Sequence, residues 1–183
     1  MSLAAVAMLS LTACSGDDSE STNNNNNNNN NNPSFESDLY LDGQLFVPSD
    51  NIASVMTTFQ EAIDNGVHDV RTFHLMKTGT DIQNTTTVMV AVAYPTGESI
   101  DGTYDFIGDG WEIDEPYAQV QVMMGMALYS TMEGAVTVTD LGNNEYKLEL
   151  GNNIELTSQM NPGEVITLSG SFEGEFTDEG EFE

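Results

Sequence analysis

The feature that most constrains this chain is a strict alternation near its end. Ile166, Leu168, Gly170, Phe172, Gly174 and Phe176 fall on one face of an extended backbone, and Thr167, Ser169, Ser171, Glu173, Glu175 and Thr177 on the other. Successive side chains of a strand point to opposite faces, so a period of two predicts a long strand with a dry side and an acidic wet side. The signal recurs upstream. Val136 and Val138 alternate with Thr137 and Thr139, Leu141-Gly142-Asn143-Asn144 supplies turn residues, and Tyr146, Leu148 and Leu150 alternate with Lys147 and Glu149, which reads as a hairpin. Gly151-Asn152-Asn153 reads as another turn, with Ile154 and Leu156 opening the next short strand.

Earlier strands are expected over Val70 to Lys77, Thr86 to Tyr94, Thr103 to Ile107 and Ala118 to Ser130. The last of these is apolar on both faces of its middle, with Val120, Val122, Met124, Met126 and Leu128 on one side and Met123 and Ala127 on the other, so it reads as a central strand. One segment departs from the pattern. Ile52, Val55, Met56, Phe59, Ala62 and Ile63 stand at helical spacing, with Asp50 able to cap the start and Gly66 the end, which predicts one short helix over residues 51–64. The expected architecture is all-β, an antiparallel sandwich or barrel with that single helix.

A chain of 183 residues whose first 33 read as leader and stalk has room for one domain, over residues 34–183. Cys14 is the only cysteine, so the fold must rest on its apolar core and not on an intrachain disulfide. The charge is lopsided. Thirty Asp and Glu face only Arg71, Lys77 and Lys147, for a formal net charge of −27. Nothing here could neutralise a phosphate backbone, which excludes nucleic acid as a partner, and protein charge would repel anionic headgroups.

Residues 3–13, Leu-Ala-Ala-Val-Ala-Met-Leu-Ser-Leu-Thr-Ala, form an apolar run whose length at 1.5 Å per residue is roughly half of a ~30 Å bilayer core. That is too short to span and fits a secretory leader ending in small residues. No Lys or Arg precedes the run, as a leader would ordinarily have, so the expected start of translation lies a few residues upstream. From Asn23 to Asn32 the chain is ten consecutive asparagines, followed by Pro33. Such a tract has no apolar face to bury and reads as a solvated spacer. The 20 residues from Cys14 to Pro33 would span roughly 25 Å as a coil.

The stretch Leu11-Thr12-Ala13-Cys14 resembles the lipobox of bacterial lipoproteins, and Ser15-Gly16-Asp17-Asp18-Ser19-Glu20 resembles the acidic signal that carries Bacteroidota lipoproteins to the cell surface. The resemblance implies cleavage before Cys14, lipidation of Cys14, residues 14–33 as a stalk, and a membrane partner reached through the lipid at the outer membrane. Further on, Leu41-Asp42-Gly43-Gln44, Asp101-Gly102-Thr103-Tyr104-Asp105-Phe106, Gly134-Ala135-Val136-Thr137-Val138-Thr139 and Leu168-Ser169-Gly170-Ser171-Phe172-Glu173-Gly174-Glu175-Phe176 resemble the small β-rich surface lipoproteins of Bacteroidota. These are short strand-and-turn motifs. They imply a fold class and a location, and they transfer no catalytic residue.

Sites of chemistry are sparse. His68 and His74 are the only histidines, and six residues of strand would set them on one face about 20 Å apart, too far to share a metal. No nucleophile elbow occurs, and a glycosidase carboxylate pair is defined in space and not by spacing, so no enzymatic activity is expected. The one local cluster is acidic and Gly-rich: Asp101, Asp105, Asp109, Glu112 and Asp114 could offer calcium the six to eight oxygens it takes, without EF-hand spacing, and calcium is the only candidate cofactor. Trp111 and Tyr117, with Tyr94, could instead stack on a sugar. The leading expectation is a non-enzymatic surface lipoprotein that binds or shields. Beside it stand a carbohydrate-binding accessory lipoprotein and a lipocalin-like carrier with Met89, Met123, Met124 and Met126 around an apolar cavity.

Overall fold

The computed structural model describes residues 34–49, 54–107 and 115–181. Its strands are β1 (Phe35–Ser37), β2 (Tyr40–Leu41), β3 (Gln44–Leu45), β4 (Val55–Ala62), β5 (His68–Lys77), β6 (Thr86–Pro95), β7 (Gly102–Asp105), β8 (Tyr117–Met124), β9 (Ala127–Ser130), β10 (Ala135–Gly142), β11 (Glu145–Ser158), β12 (Val165–Glu175) and β13 (Thr177–Glu181). A single helical turn, α1 (Ile63–Gly66), joins β4 to β5, and a 3-10 turn covers Ile82–Asn84.

Hydrogen bonding runs in the order β13-β4-β5-β6-β8-β9-β11-β12-β2-β3, with β1 added to β12 and β10 placed between β11 and β7. The sheet folds over on itself. Phe73 of β5 meets Tyr146 of β11 and Phe176, neither bonded to β5, at ring-centroid distances of 5.1 Å in both cases. β9 forms the corner, pairing with β8 along one edge and with Thr157 and Ser158 of β11 along the other. The path stays open from β13 to β3, so the fold is sandwich-like and all-β, and the sheet does not close into a barrel. It is mixed: β13 lies parallel to β4 while the other strand pairs are antiparallel.

The terminal alternation is realised in β12. Ile166, Leu168, Phe172 and, just past its end, Phe176 are buried at 5% exposure or less. Phe176 lies edge-on to Phe73, Tyr146 and Phe172, so one ring bonds the layers at the point where the chain crosses from β12 to β13. Edge-to-face pairs of this kind contribute about 0.5–1.5 kcal/mol each beyond the area they bury.

Three sequence expectations are corrected. The helix over residues 51–64 is replaced, in its described part, by β4 followed by one turn of α1. Val55 and Thr57 are buried, and Thr57 Oγ1 donates to the Thr72 carbonyl at 3.1 Å. β-branched Val55, Thr57 and Thr58 favour an extended backbone. Pairing with β5 on one side and β13 on the other then uses the backbone groups that a helix would have paired within itself. The expected single strand from Ala118 to Ser130 is the hairpin β8–β9, reversed at Gly125 and Met126. Gly125 has φ +61°, and a Cβ there would meet the Gln83 carbonyl at 2.7 Å, so this position needs glycine. Finally, Gly151-Asn152-Asn153 makes a bulge within β11 and not a turn: pairing steps from Leu150↔Gly170 to Ile154↔Leu168, with Asn153 at φ +53°.

Candidate functional site

Three strands of one layer end together. Lys77, Thr86 and Met124 are neighbours in register across β5, β6 and β8. Two residues back from each stand Leu75, Val88 and Val122, all at 2% exposure or less, so the three side chains form the last inward-facing row of the layer. Across from them the β2–β3 hairpin brings Leu41, Leu45 and Phe46, and the two rows line an open cleft of about 240 Å³. The hairpin is well fixed. It turns at Asp42 and Gly43, both at positive φ, and Asp42 closes a pair of hydrogen bonds with Thr167, its N–H donating to the carbonyl at 2.8 Å and its Oδ1 accepting the Thr167 N–H at 2.9 Å. Leu41 and Phe46 are buried while Leu45 and Met124 are partly exposed, which gives the cleft an apolar floor and adjustable lips. Among the described residues Lys77 makes no ion pair, whereas Lys147 Nζ lies 3.0 Å from Glu149 Oε1.

A second polar cluster is interior. Arg71 faces inward from β5, on the same side as Phe73, with its guanidinium carbon 5.1 Å from the ring centroid of Phe59 and 5.5 Å from that of Tyr146. Its Nη1 is buried without a hydrogen-bond partner. Burial pushes the Tyr94 and Tyr146 phenols up, against the opposing pull of Arg71. Tyr104 donates to the Ile100 carbonyl at 2.7 Å and burial pushes it up to about 12. Asp69 Oδ2 accepts the Gly97 N–H at 3.1 Å. All three tyrosines are 6% exposed or less, so this is a polar seam inside the sandwich and not a surface platform.

Of the acidic cluster, Asp101 and Asp105 are described, while Asp109, Glu112, Asp114 and the aromatic Trp111 lie outside the described residues. Asp101 ties its loop to β10: Oδ2 accepts the Ser99 hydroxyl at 2.6 Å and Oδ1 the Asp140 N–H at 2.8 Å. The Ser99 hydroxyl, then the Asp140 amide, hold this carboxyl below its ordinary value. Asp105 is exposed at the end of β7, four residues of extended chain or about 13 Å along, so these two do not converge on one ion. Among the described residues no group of three or more His, Cys, Asp or Glu could hold a metal ion. His68 and His74 both lie on β5, as the spacing implied, and His68 is buried, with Tyr117 edge-on at 5.8 Å. Tyr94 is in the interior seam and not beside Tyr117 on a surface. Met123, Met124 and Met126 are 40%, 38% and 77% exposed, so they do not enclose a cavity.

The sequence reading missed both the cleft and the seam. A signal existed for each: Arg71 and Lys77 share parity with Phe73 and Leu75, which places two of the three basic residues on the inward face of a strand. The opposing hairpin of two-residue strands carries too short a pattern to be read. Compared with protein-family models, with curated proteins and with solved structures, the chain matches none.

Proposed function

We propose that this chain is an outer-membrane lipoprotein, tethered through acyl chains on Cys14, that holds a non-enzymatic β-sandwich domain at the cell surface to bind a ligand there. The observation that carries the reading is the order of parts. A lipobox-like Leu11-Thr12-Ala13-Cys14, an acidic segment and an unbroken asparagine tract are followed, one residue past Pro33, by the start of a folded β-rich domain. A thiol at that place suits thioether lipidation, and a tract with no apolar face suits a spacer. The strong negative charge favours self-repulsion and solubility in a crowded surface layer. Of the ligand-binding alternatives, a small amphipathic ligand is favoured over a glycan, because the cleft at Lys77 sets Leu41, Leu45, Phe46 and Met124 beside Lys77 and Thr86 while Tyr94 is buried.

Expression in a Bacteroidota host with an alkyne-tagged fatty acid tests the anchor. The tag should appear on the wild-type chain and be absent from Cys14→Ala. Proteinase K added to intact cells should remove the domain. Equal tagging of both chains would overturn the anchor, and full protection in intact cells would overturn surface display.

A further inference from the structure

The cleft between the Lys77–Thr86–Met124 row and the β2–β3 hairpin has the shape and charge of a ligand site. We infer that it binds a medium-length alkanoate, with the aliphatic chain between the two walls and the carboxylate on the Lys77 ammonium. This rests on the binding role proposed above and gives it a substrate class, independently of the anchor.

Three observations carry it. First, Leu41, Leu45 and Phe46 face Met124 across about 240 Å³, and an apolar cavity of about 150 Å³ already takes a benzene ring. Methionine and leucine on the lips can repack around a flexible chain. Second, Lys77 continues the inward row of Phe73 and Leu75 to the exposed end of the strand, at the mouth of the cleft. Third, Lys77 makes no ion pair among the described residues, in a chain with 30 carboxylates and three basic side chains. A cation at the rim of an apolar cleft is complementary to an apolar chain ending in one negative charge, and Thr86 adds a hydroxyl in the same row. The opposing term is Asp42, which also lines the cleft. It and the net charge of −27 repel carboxylates, but at physiological ionic strength repulsion from distant groups is screened beyond about 8 Å. What remains locally is the attraction of Lys77 against the repulsion of Asp42, which the Asp42→Asn variant separates.

The test is calorimetric titration of the full chain carrying Cys14→Ala, so that no attached acyl chain competes, with octanoate, octanol and octylamine. Octanoate should bind most tightly. Lys77→Gln should weaken it about tenfold and leave octanol unchanged, and Leu45→Glu, an exposed substitution compatible with folding, should weaken both. Asp42→Asn, which keeps an acceptor for Thr167 and tolerates positive φ, should tighten octanoate. Octanoate that fails to bind, or binds no better than octylamine, overturns the inference, as does octanoate binding indifferent to Lys77→Gln. None of these outcomes bears on whether Cys14 carries lipid, so the two proposals fail separately.

Discussion

The guanidinium carbon of Arg71 lies 5.5 Å from the ring centroid of Tyr146, and this contact joins β5 to β11, strands that share no hydrogen bond. Cation–π contacts contribute about 0.5–2 kcal/mol depending on desolvation. Against that stands the cost of a buried N–H at Nη1 without an acceptor, about 1–3 kcal/mol. The two nearly cancel, so Arg71→Met, which keeps the aliphatic stem between the rings, should change stability by no more than about 1 kcal/mol. Arg71→Ala removes the stem as well and should cost about 2–3 kcal/mol. Urea midpoints of the two variants give the comparison; equal midpoints would mean that stem packing contributes nothing.

Gly170→Ala should destabilise the fold more than any exposed glycine substitution. Gly170 sits at φ +99° in β12, and a Cβ there would run into the Asp38 carbonyl oxygen, which accepts the Ser171 N–H. Space and dihedral both exclude a side chain. A loss of at least about 2 kcal/mol is expected, within the range of strained backbone positions. Gly43→Ala is the control, since nothing lies within 4 Å of its would-be Cβ. A Gly170→Ala chain as stable as that control would refute the close approach.

Alkaline pH should weaken the fold through its buried phenols. Tyr104 is raised to about 12 from an ordinary value of 10.0, chiefly by burial, and Tyr94 and Tyr146 are raised by the same cause. A folded-state value above the unfolded one means the native chain holds its protons more tightly. The stabilisation is therefore complete below pH 10 and lost as pH rises towards 12. Phenolate absorbance should show these three groups titrating together with unfolding, and Tyr104→Phe should shift that transition upward in pH. Early, reversible ionisation of Tyr94, Tyr104 and Tyr146 in the folded chain would contradict their burial.

How much of this was legible in the sequence varied with the length of the pattern. β12 and the β10–β11 hairpin were readable because five or more alternating residues and a Gly-Asn-Asn turn pointed the same way. β4 was misread because Val55, Met56 and Phe59 satisfy a helical spacing as well as a strand, and what decides between them is pairing with β5 and β13, far along the chain. Gly125 was passed over because it stood in step with an alternating run; the tight approach to Gln83 that requires it is a tertiary fact. The cleft depends on Leu41 and Met124, far apart in the chain, lining one space, and sequence separation hides such a meeting of elements.

Trypsin should cut the native chain at one site. Arg71 lies within β5 between β4 and β6, and Lys147 within β11 between β10 and β12. Lys77, by contrast, ends β5 and is exposed, and the connection that follows holds only the 3-10 turn Ile82–Asn84 before Thr86. Proteolysis requires several residues of extended, unpaired backbone, which the first two sites would supply only on unfolding. Mass spectrometry of a brief digest should show a single nick after Lys77, and early products ending at Arg71 or Lys147 would mean that β5 or β11 opens locally.

The loop between β11 and β12 is fastened to β9 at both ends, by Gln159, whose N–H donates to the Leu128 carbonyl at 2.8 Å and whose side chain donates to Ser130 Oγ at 3.3 Å, and by Glu164. Tyr129 donates to Glu164 Oε1 at 2.7 Å, and this hydrogen bond, which ionisation would break, is the largest cause of the raised Tyr129 phenol, ahead of burial and of repulsion from the Glu164 charge. Glu164→Gln leaves an acceptor in place and removes the charge, so the Tyr129 value should fall towards 10.0. The sign for stability follows. In the wild type this hydrogen bond supports the fold fully at pH values below the ordinary phenol range and is lost as pH rises through the raised value, whereas in Glu164→Gln the loss should begin at the same ordinary phenol pH, end sooner and be smaller in total. Site-resolved titration of Tyr129 by NMR in the two chains decides the matter: an unchanged value would show that the hydrogen bond and burial, and not the carboxylate's charge, hold the proton on the ring.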